Sequence, residues 1–407
     1  MQTYTDSLAH LQDELRRLDS MLRLHFEGAG DGAAASKDGF EGMYISAEDV
    51  SRLLEPDREQ RTVTNEQLRQ QIDDQATRLR DRVSLSYQQG TPIRFAALAD
   101  SFALSRPELD AVLLALAPEL DQKYEQIFAY LLDDITSKRP TVGLILRVLS
   151  HTEQERLASL THFSPSSPLV AHGLVELHPD SPDVPTLSQS VSLDRHIVEY
   201  LTGTDDVAGS IADFARLEES PTQATELTLE ARTQTRLDSL VSDTVDDPTI
   251  YYLHGPSGSG RASAAEAIAA SVGLPRLVVD TPRLAGTALD TVLAQLTREA
   301  MLKSACLQFE NVDALDAQDA DGSVDTLVAG LEAFHQHVFL TGAGPWTPTA
   351  TLPTHEFASL AVERPSFPLR KAIWDEYTED LPDDIDTESL ASKFSLTRGQ
   401  IEDALFT

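Results

Sequence analysis

A glycine-rich segment in the second half of the chain has the residue spacing of a phosphate-binding loop. Residues 255–262 read Gly-Pro-Ser-Gly-Ser-Gly-Arg-Ala, after a predicted strand and before a predicted helix. This glycine loop matches G-x-x-x-x-G-K-[ST] in its glycines and differs in its last two residues. Backbone N–H groups of such a loop, with the N-terminus of the next helix, converge on phosphate oxygens. The alternative is a Gly/Ser-rich turn that holds no ligand.

The two loop positions that carry most of the chemistry are changed. Arg261 replaces the lysine of the pattern, and a planar guanidinium differs in reach from a slim ammonium group. Ala262 replaces the serine or threonine that ligates magnesium, and it offers no oxygen. Ser263 lies about 100° farther around the helix and does not substitute for it. The sequence predicts at most weak binding of ATP or ADP and argues against a magnesium site.

The predicted strand at residues 305–309 leads into the position where an ATPase carries its hydrolytic carboxylates. Such an enzyme uses one carboxylate to support magnesium and a second to activate water. The corresponding residues here are Glu310 and Asn311. Glu310 can still hold a metal through water, but the amide of Asn311 cannot serve as a general base. Thr341, at the end of the next strand, is a candidate sensor of a γ-phosphate, although threonine is also ordinary at a strand end.

Arginine is missing from a long interval after this second motif. No arginine occurs between Arg298 and Arg364. An oligomeric ATPase would place a trans-acting arginine finger in this interval, where it contributes about 10³–10⁵ in rate. We therefore predict no catalytic residue in this chain and no activation of a neighbouring subunit from this segment.

The elements around the glycine loop predict a parallel sheet covered by helices, because strand and helix patterns alternate. The predicted strands span residues 249–254, 276–280, 305–309 and 337–341. The predicted helices between them span residues 263–272, 288–303 and 324–334. The end of the chain, from Phe367, is again predicted to be helical.

The first half of the chain is predicted to be mostly helical. A leucine seam at residues 5–26 is only about two heptads long, which favours packing on its own domain over a self-associating coiled coil. A flexible loop at residues 28–39 and a helix after Ser46 are expected next. Further helices are predicted at residues 63–88, 95–102, 109–116, 120–134 and 140–150. Residues 169–177 and 186–193 could then supply the two strands of a wing.

The composition is strongly acidic, with 66 Asp and Glu against 32 Lys and Arg and a net charge of −34. The carboxylates are dispersed among periodic apolar positions, which favours a folded protein of a high-salt cytoplasm over a disordered acidic chain. The predicted helices between residues 95 and 150 form a helix-turn-helix pattern. Acidic residues outnumber basic ones in this range, so this helix-turn-helix is expected to contact protein and not DNA. No run of residues predicts a membrane span or a signal peptide. A cytoplasmic location is therefore expected.

With these residues in view, residues 249–407 resemble an AAA+ ATPase core followed by its helical lid. Residues 366–377 and 390–401 carry the lid similarity. Residues 40–46, 113–121 and 139–142 resemble the winged-helix domain that precedes AAA modules in a group of prokaryotic ATPases, some of which accompany contractile injection systems. The nucleotide-contact positions that the resemblance implies are Gly255, Gly258, Ser259, Gly260, Arg261, Ala262, Glu310, Asn311, Thr341 and Gln400, the last near the second sensor.

In that group a degenerate AAA module is commonly followed by an intact one, whereas this sequence stops at Thr407. A short paralogue, a split partner and a fragment are all compatible with this pattern. The resemblance implies a non-hydrolysing scaffold or partner subunit of a remodelling assembly, with protein partners that include an intact AAA+ ATPase and with the capacity to form an oligomer. An active AAA+ ATPase and a winged-helix transcriptional regulator are the alternatives.

The predicted fold is multidomain, with a mostly α winged-helix domain, an α/β P-loop AAA+-like domain with a parallel sheet, and a C-terminal helical lid. We predict an N-terminal helix and loop at residues 1–39 and a winged-helix domain at 40–202. An acidic connector is expected at residues 203–245, the α/β core at 246–362 and the lid at 363–407.

Overall fold

The structure is a computed structural model of the chain, and it forms two compact units, residues 1–206 and 207–407. It describes residues 3–28, 50, 54, 64–179, 181, 183–219, 229–242, 247–284, 287–316, 323–377 and 386–406. The predicted loop beyond Gly28 and most of the helix expected after Ser46 lie outside the described residues. None of the described helices is long and apolar enough to cross a membrane.

The first unit is built from helices and one small sheet. Its helices are α1 (Ser7–Gly28), α2 (Asn65–Gln88), α3 (Arg94–Ser101), α4 (Arg106–Leu120), α5 (Lys123–Leu131), α6 (Val142–Leu149), α7 (Glu153–Ser159), α8 (Pro168–Ala171) and α9 (Arg195–Thr202). Strands β1 (Val175–His178) and β2 (Ser190–Leu193) pair antiparallel, with Val175 opposite Leu193. The two segments predicted to form a wing therefore do contain paired strands.

Helix α4 is the centre of the first unit. It begins with a capping box, in which Ser105 and Glu108 bond each other's backbone groups. All ten residues from Glu108 to Ala117 are buried, and eight of them are apolar, as expected for a helix in the middle of a core. Helix α1 packs on its own unit, as the short leucine seam predicted, since Leu18 and Leu22 are fully buried and Arg17 is paired with Asp110.

The second unit contains a six-stranded sheet. Its strands are β3 (Ala215–Glu218), β4 (Thr249–His254), β5 (Arg276–Asp280), β6 (Cys306–Glu310), β7 (Val338–Gly342) and β8 (Glu356–Ala361). They lie in the order β3-β5-β6-β7-β4-β8. Strands β5, β6, β7, β4 and β8 are parallel, and β3 runs antiparallel to β5. The sheet is therefore mixed, although the sequence predicted only its parallel part.

Two of these strands lie where the sequence predicted none. Strand β3 and a helix, α10 (Ala231–Ser242), fall within residues 203–245, which the sequence assigned to a connector. Both belong to the second unit. Strand β8 forms the opposite edge of the sheet beside β4. Edge strands have one neighbour each and tolerate polar residues, so their sequences carry little of the apolar signal of the central strands.

Helices cover both faces of the sheet. They include α10, α11 (Arg261–Val272), α12 (Leu289–Leu302), α13 (Asp313–Asp316) and α14 (Val324–Gly330). One core includes Leu307 and Phe309 with Leu296 of α12, and the other places Leu253 against Ile268 of α11. Helices α15 (Phe367–Glu376), α16 (Thr387–Lys393) and α17 (Arg398–Phe406) enclose a separate small core around Ile373, Trp374, Ala391 and Ile401.

The strand order places the glycine loop at a change of direction in the sheet. From β4 the chain passes to β5, returns through β6 to β7 beside β4, and then crosses to β8 on the other side of β4. In open parallel sheets, ligands bind at the carboxyl ends of the strands where the connections diverge in this way. The loop that follows β4 lies at this position.

Candidate functional site

The glycine loop approaches its neighbours too closely for side chains at two positions. Gly255 has φ of 156°, and a Cβ there would lie 2.0 Å from the carbonyl oxygen of Val362. Gly258 has φ of 72°, and a Cβ there would lie 2.5 Å from Oγ1 of Thr397. The glycines are thus required by the local backbone, whether or not a ligand binds.

The side chain of Ser259 points into the loop. Ser259 is only 7% exposed, and its Oγ lies 3.2 Å from the place a Cβ of Gly255 would occupy. This Oγ has no hydrogen-bond partner among the described residues. A buried hydroxyl without a partner costs about 1–3 kcal/mol. The orientation of Ser259 is therefore unfavourable unless the loop binds a polar ligand.

Helix α11 begins directly at the end of the loop. Its N-cap is Gly260, which provides no side-chain hydrogen bond to the first turn. The first N–H groups of a helix have no acceptor within the helix. Together with the positive end of the helix dipole, these N–H groups form a site to which an anion can bind.

Arg261 bonds to the second motif across the carboxyl edge of the sheet. Its Nη2 donates to Oδ1 of Asn311 at 3.2 Å, and its Nη1 is buried without a partner among the described residues. Burial lowers the pKa of the Arg261 guanidinium, whereas the carboxylates of Asp313 and Glu310 act in the opposite direction. Arginine remains charged in proteins. A permanent positive charge with one unused nitrogen therefore lies beside the loop.

Glu310 lies within a network of charged and polar groups on the sheet. Its Oε2 is 3.7 Å from Nη2 of Arg216 on β3, and its Oε1 accepts a hydrogen bond from Gln308. Gln308 is fully buried and in turn accepts a bond from Arg276 at 2.6 Å. Arg216 was missed from the sequence because the strand that carries it was missed. The carboxylate of Glu310 is therefore already paired with a cation.

Asn311 and Thr341 hold each other in place. Asn311 has a φ of 59°, and its N–H donates to Oγ1 of Thr341 at 3.1 Å. Thr341 is 3% exposed. The hydroxyl of Thr341 thus contacts the backbone of the second motif. Nearby, Asp313 accepts a bond from the N–H of Ala343 at 2.7 Å and fixes the turn after β7.

The N-terminus of helix α17 docks on the glycine loop. Thr397 Oγ1 donates to the carbonyl oxygen of Ser257 at 3.0 Å, and the Gly399 N–H donates to that of Gly258 at 3.1 Å. Gln400, predicted near the second sensor, instead accepts a bond from the N–H of Thr397 at 3.1 Å and closes a capping box. Thr397 is the loop-contacting residue that the sequence analysis missed. Its spacing to Gln400, T-x-x-Q, is a signal that could have revealed it.

The structure thus brings most of the predicted site residues to one edge of the sheet. The loop contains Gly255, Gly258, Ser259 and Gly260, and α11 begins with Arg261 and Ala262. Glu310, Asn311 and Thr341 lie at the carboxyl ends of the neighbouring strands. Ala262 is exposed. The side chain of Gln400 caps the helix N-terminus that docks on the loop.

Comparison with known proteins identifies a family, and solved structures with a similar fold are also found. No curated protein matches the sequence. A solved structure described as "Structural Basis for Katanin Self-Assembly" has a chain that is similar at a TM-score of 0.34 with 16% identity, over 46% of this chain and 71% of that chain. The family model described as "Winged helix domain, variant" matches residues 1–215. Because this match spans more than half of the 407 residues, the chain belongs to that winged-helix family.

Proposed function

We propose that the chain combines this winged-helix domain with an AAA+-type module that binds nucleotide weakly and does not hydrolyse it. In this proposal the chain is a scaffold or partner subunit of a remodelling assembly, in which an intact AAA+ ATPase supplies the hydrolysis. The strand order and the loop after β4 support the AAA+-type assignment. The proposal includes the core and lid limits expected from the sequence, with β3 and α10 added to the core.

The hydrogen bond between Arg261 and Asn311 carries the proposal. It joins the residue in place of the loop lysine to the residue in place of the catalytic base. A guanidinium donates N–H groups only, and an amide oxygen that accepts one has no useful basicity. Hydrolysis requires a group that orients or deprotonates water, and neither side chain provides it.

The winged-helix domain is proposed to contact protein. In a helix-turn-helix that binds DNA, the second helix lies in the major groove. In the helix-turn-helix of this chain the second helix is α4, and its residues from Glu108 to Ala117 are all buried within the first unit. A net charge of −34 also opposes binding to phosphates. The same acidity supports a cytoplasm of high salt as the setting.

Phosphate release measured in concentrated KCl, with and without magnesium, tests the proposal. We expect no magnesium-dependent turnover above that of the Arg261→Ala variant, with an intact AAA+ ATPase in the same buffer as positive control. Clear turnover that Arg261→Ala abolishes would establish the active ATPase instead. A gel shift in the same salt tests the transcriptional regulator, for which a sequence-dependent DNA complex would be the evidence.

A further inference from the structure

We propose that the glycine loop binds the diphosphate group of a nucleotide without a divalent cation, because Arg261 and the unpaired donors of the loop supply the positive charge and the hydrogen bonds in its place. This inference rests on the proposed function, and it specifies the form of the ligand that the loop binds. It concerns binding alone, so it can fail while the absence of hydrolysis still holds.

The residues at the site do not fit a magnesium ion. Ala262 provides no oxygen where the hydroxyl ligand would stand, and the Glu310 carboxylate is paired with Arg216 and bonded to Gln308. In the part of the chain that the structure describes, no cluster of three His, Cys, Asp or Glu side chains could hold a metal. Magnesium is bound by oxygen ligands, with carboxylates and phosphates as its usual partners. The oxygen ligands at this site are therefore too few to bind a magnesium ion.

Two guanidinium groups contact the residues of the second motif. Arg261 bonds to Asn311, and Arg216 lies 3.7 Å from the adjacent Glu310. Arg216 is held by two carboxylates, since its Nε donates to Glu218 at 2.8 Å and its Nη2 lies near Glu310. Its charge is therefore already balanced within the protein. Arginine pairs with phosphate in a planar, bidentate geometry. Arg261, with its unused Nη1, is therefore the positive charge available to a diphosphate that would otherwise need a metal.

The loop itself offers further donors that have no partner in the described residues. Ser259 Oγ is buried in the loop, and Nη1 of Arg261 is buried beside it. The first-turn N–H groups of α11 have no side-chain cap. Helix α17 docks on the carbonyl oxygens of Ser257 and Gly258. This docking uses acceptors of the loop and does not engage the Ser259 hydroxyl or the first-turn N–H groups of α11. The N–H groups of Gly255 and Ser259, in contrast, are bonded to the carbonyls of Gly342 and Pro256.

Titration of the full chain with ADP, in concentrated KCl with either magnesium or EDTA, tests the inference. We expect the Kd to change by less than about twofold between the two conditions. A larger weakening in EDTA, or no binding of ADP in either condition, overturns the inference. Phosphate release from ATP, measured separately, decides the proposed function, so the two failures are distinguishable.

Pyrophosphate in the same titration separates the two sources of a diphosphate group. Binding of ADP with competition by pyrophosphate supports a nucleotide held by its phosphates. Binding of pyrophosphate without binding of ADP would show that the ligand is a free diphosphate and would overturn the assignment of a nucleotide.

The variant Ser259→Ala tests the loop donors, with Ser263→Ala as the matched control. Removing the buried hydroxyl is expected to weaken ADP binding by about three- to tenfold while leaving Tm unchanged or higher, since its burial is unfavourable without a ligand. Ser263→Ala is expected to alter neither property. Unchanged ADP affinity in Ser259→Ala would remove Ser259 from the site and overturn the arrangement of donors.

A gain of metal dependence is the reverse test. Ala262→Thr supplies the missing hydroxyl, and Arg216→Ala releases Glu310 from its ion pair. In the double variant, EDTA is expected to weaken ADP binding by at least about threefold, as a metal ligand set would require. A double variant as insensitive to EDTA as the wild type would overturn the role given to these two residues.

Discussion

Two clusters of charged residues, one in each unit, differ in how the central arginine is paired. In the first unit, Arg17 of α1 donates to Glu14 at 2.8 Å and pairs with Asp110 of α4, and Glu14 also accepts from Arg106 at 2.9 Å. The side chains of Arg17 and Glu14 are 3% and 2% exposed. At the glycine loop, Arg261 and Ser259 each retain a buried polar atom without a partner among the described residues.

The difference is between an arginine whose partners all belong to the protein and one that retains a donor for a ligand. Burial alone would raise the pKa of Glu14, but Arg17 and Arg106 lower it below its ordinary value. The carboxylate is therefore held ionised by its partners, and removing one partner would leave a buried charge uncompensated. At the loop, the unpaired atoms are hydrogen-bond donors around a helix N-terminus, which is the arrangement that an anion would complete.

The largest expected effect is that of Arg17→Ala. Loss of the guanidinium leaves Glu14 and Asp110 buried without their central partner, which is expected to cost about 3–5 kcal/mol in the free energy of unfolding. Arg16→Ala is the matched control, since the side chain of Arg16 is 70% exposed and its ion pair is expected to contribute at most about 1 kcal/mol. Urea unfolding of both variants measures the difference. Equal losses would contradict the structural role given to the buried cluster.

His10 makes the stability of the first unit depend on pH. Burial lowers the pKa of His10 to about 4, and Arg106 and Arg82 act in the same direction while Glu14 and Asp13 oppose them. In the unfolded chain the pKa returns to about 6.5, so the unfolded state binds the proton first as the pH falls. Stability is therefore lost between pH 6.5 and pH 4, by about 3 kcal/mol at most.

The variant His10→Phe isolates this contribution, because it keeps a ring against Tyr4 and Phe95. Urea unfolding at a series of pH values is expected to give a shallower slope in this window for His10→Phe than for the wild type. Parallel slopes would show that other groups cause the loss.

At the glycine loop, Gly258→Ala tests the close approach of helix α17. The variant places a Cβ 2.5 Å from Thr397 Oγ1 at a residue with φ of 72°, and the strained backbone and displaced threonine together are expected to cost about 1–3 kcal/mol. Gly273→Ala is the control, because its φ of 68° is similar but nothing lies within 4 Å of its Cβ. In thermal unfolding, Gly258→Ala is expected to have a lower Tm than Gly273→Ala. The reverse order would contradict the docking of α17 on the loop.

The central strands of the sheet could be predicted because they are apolar along their length. Strands β4 and β5 were predicted with their observed limits, and β6 and β7 to within one residue. Strand β3 reads Ala-Arg-Leu-Glu and has a single neighbour. Four residues with two charges do not reveal a strand until β5 is present to pair with it. Tertiary pairing, and not local propensity, determines such an edge.

The site was predictable in its residue types and not in its contacts. The spacing of the glycines and the substitutions at positions 261, 262 and 311 are visible in the sequence. The bond from Arg261 to Asn311 joins residues 50 positions apart, and that from Thr397 to Ser257 joins residues 140 positions apart. Neither of these two contacts can be recognised from a local pattern in the sequence. Gln400 was assigned to the site by similarity, whereas its side chain bonds to the backbone of Thr397.

The smallest expected effect is that of Thr397→Val, which removes the hydroxyl that links helix α17 to the loop. Thr397 is fully buried, and its Oγ1 serves both the Ser257 carbonyl and the Gln400 N–H. Valine keeps the shape, so the loss is expected to be about 1–2 kcal/mol, from hydrogen bonds alone.

Thr397→Ser restores the hydroxyl and is expected to recover most of this loss. Hydrogen exchange of the loop amides is the more specific measurement, because loss of the link should speed exchange at the loop and leave that of α4 unchanged. Equal exchange in Thr397→Val and the wild type would mean that the packing of α17, and not this hydroxyl, holds the loop. The loop would then differ from the buried cluster of the first unit, where individual polar contacts are expected to determine stability.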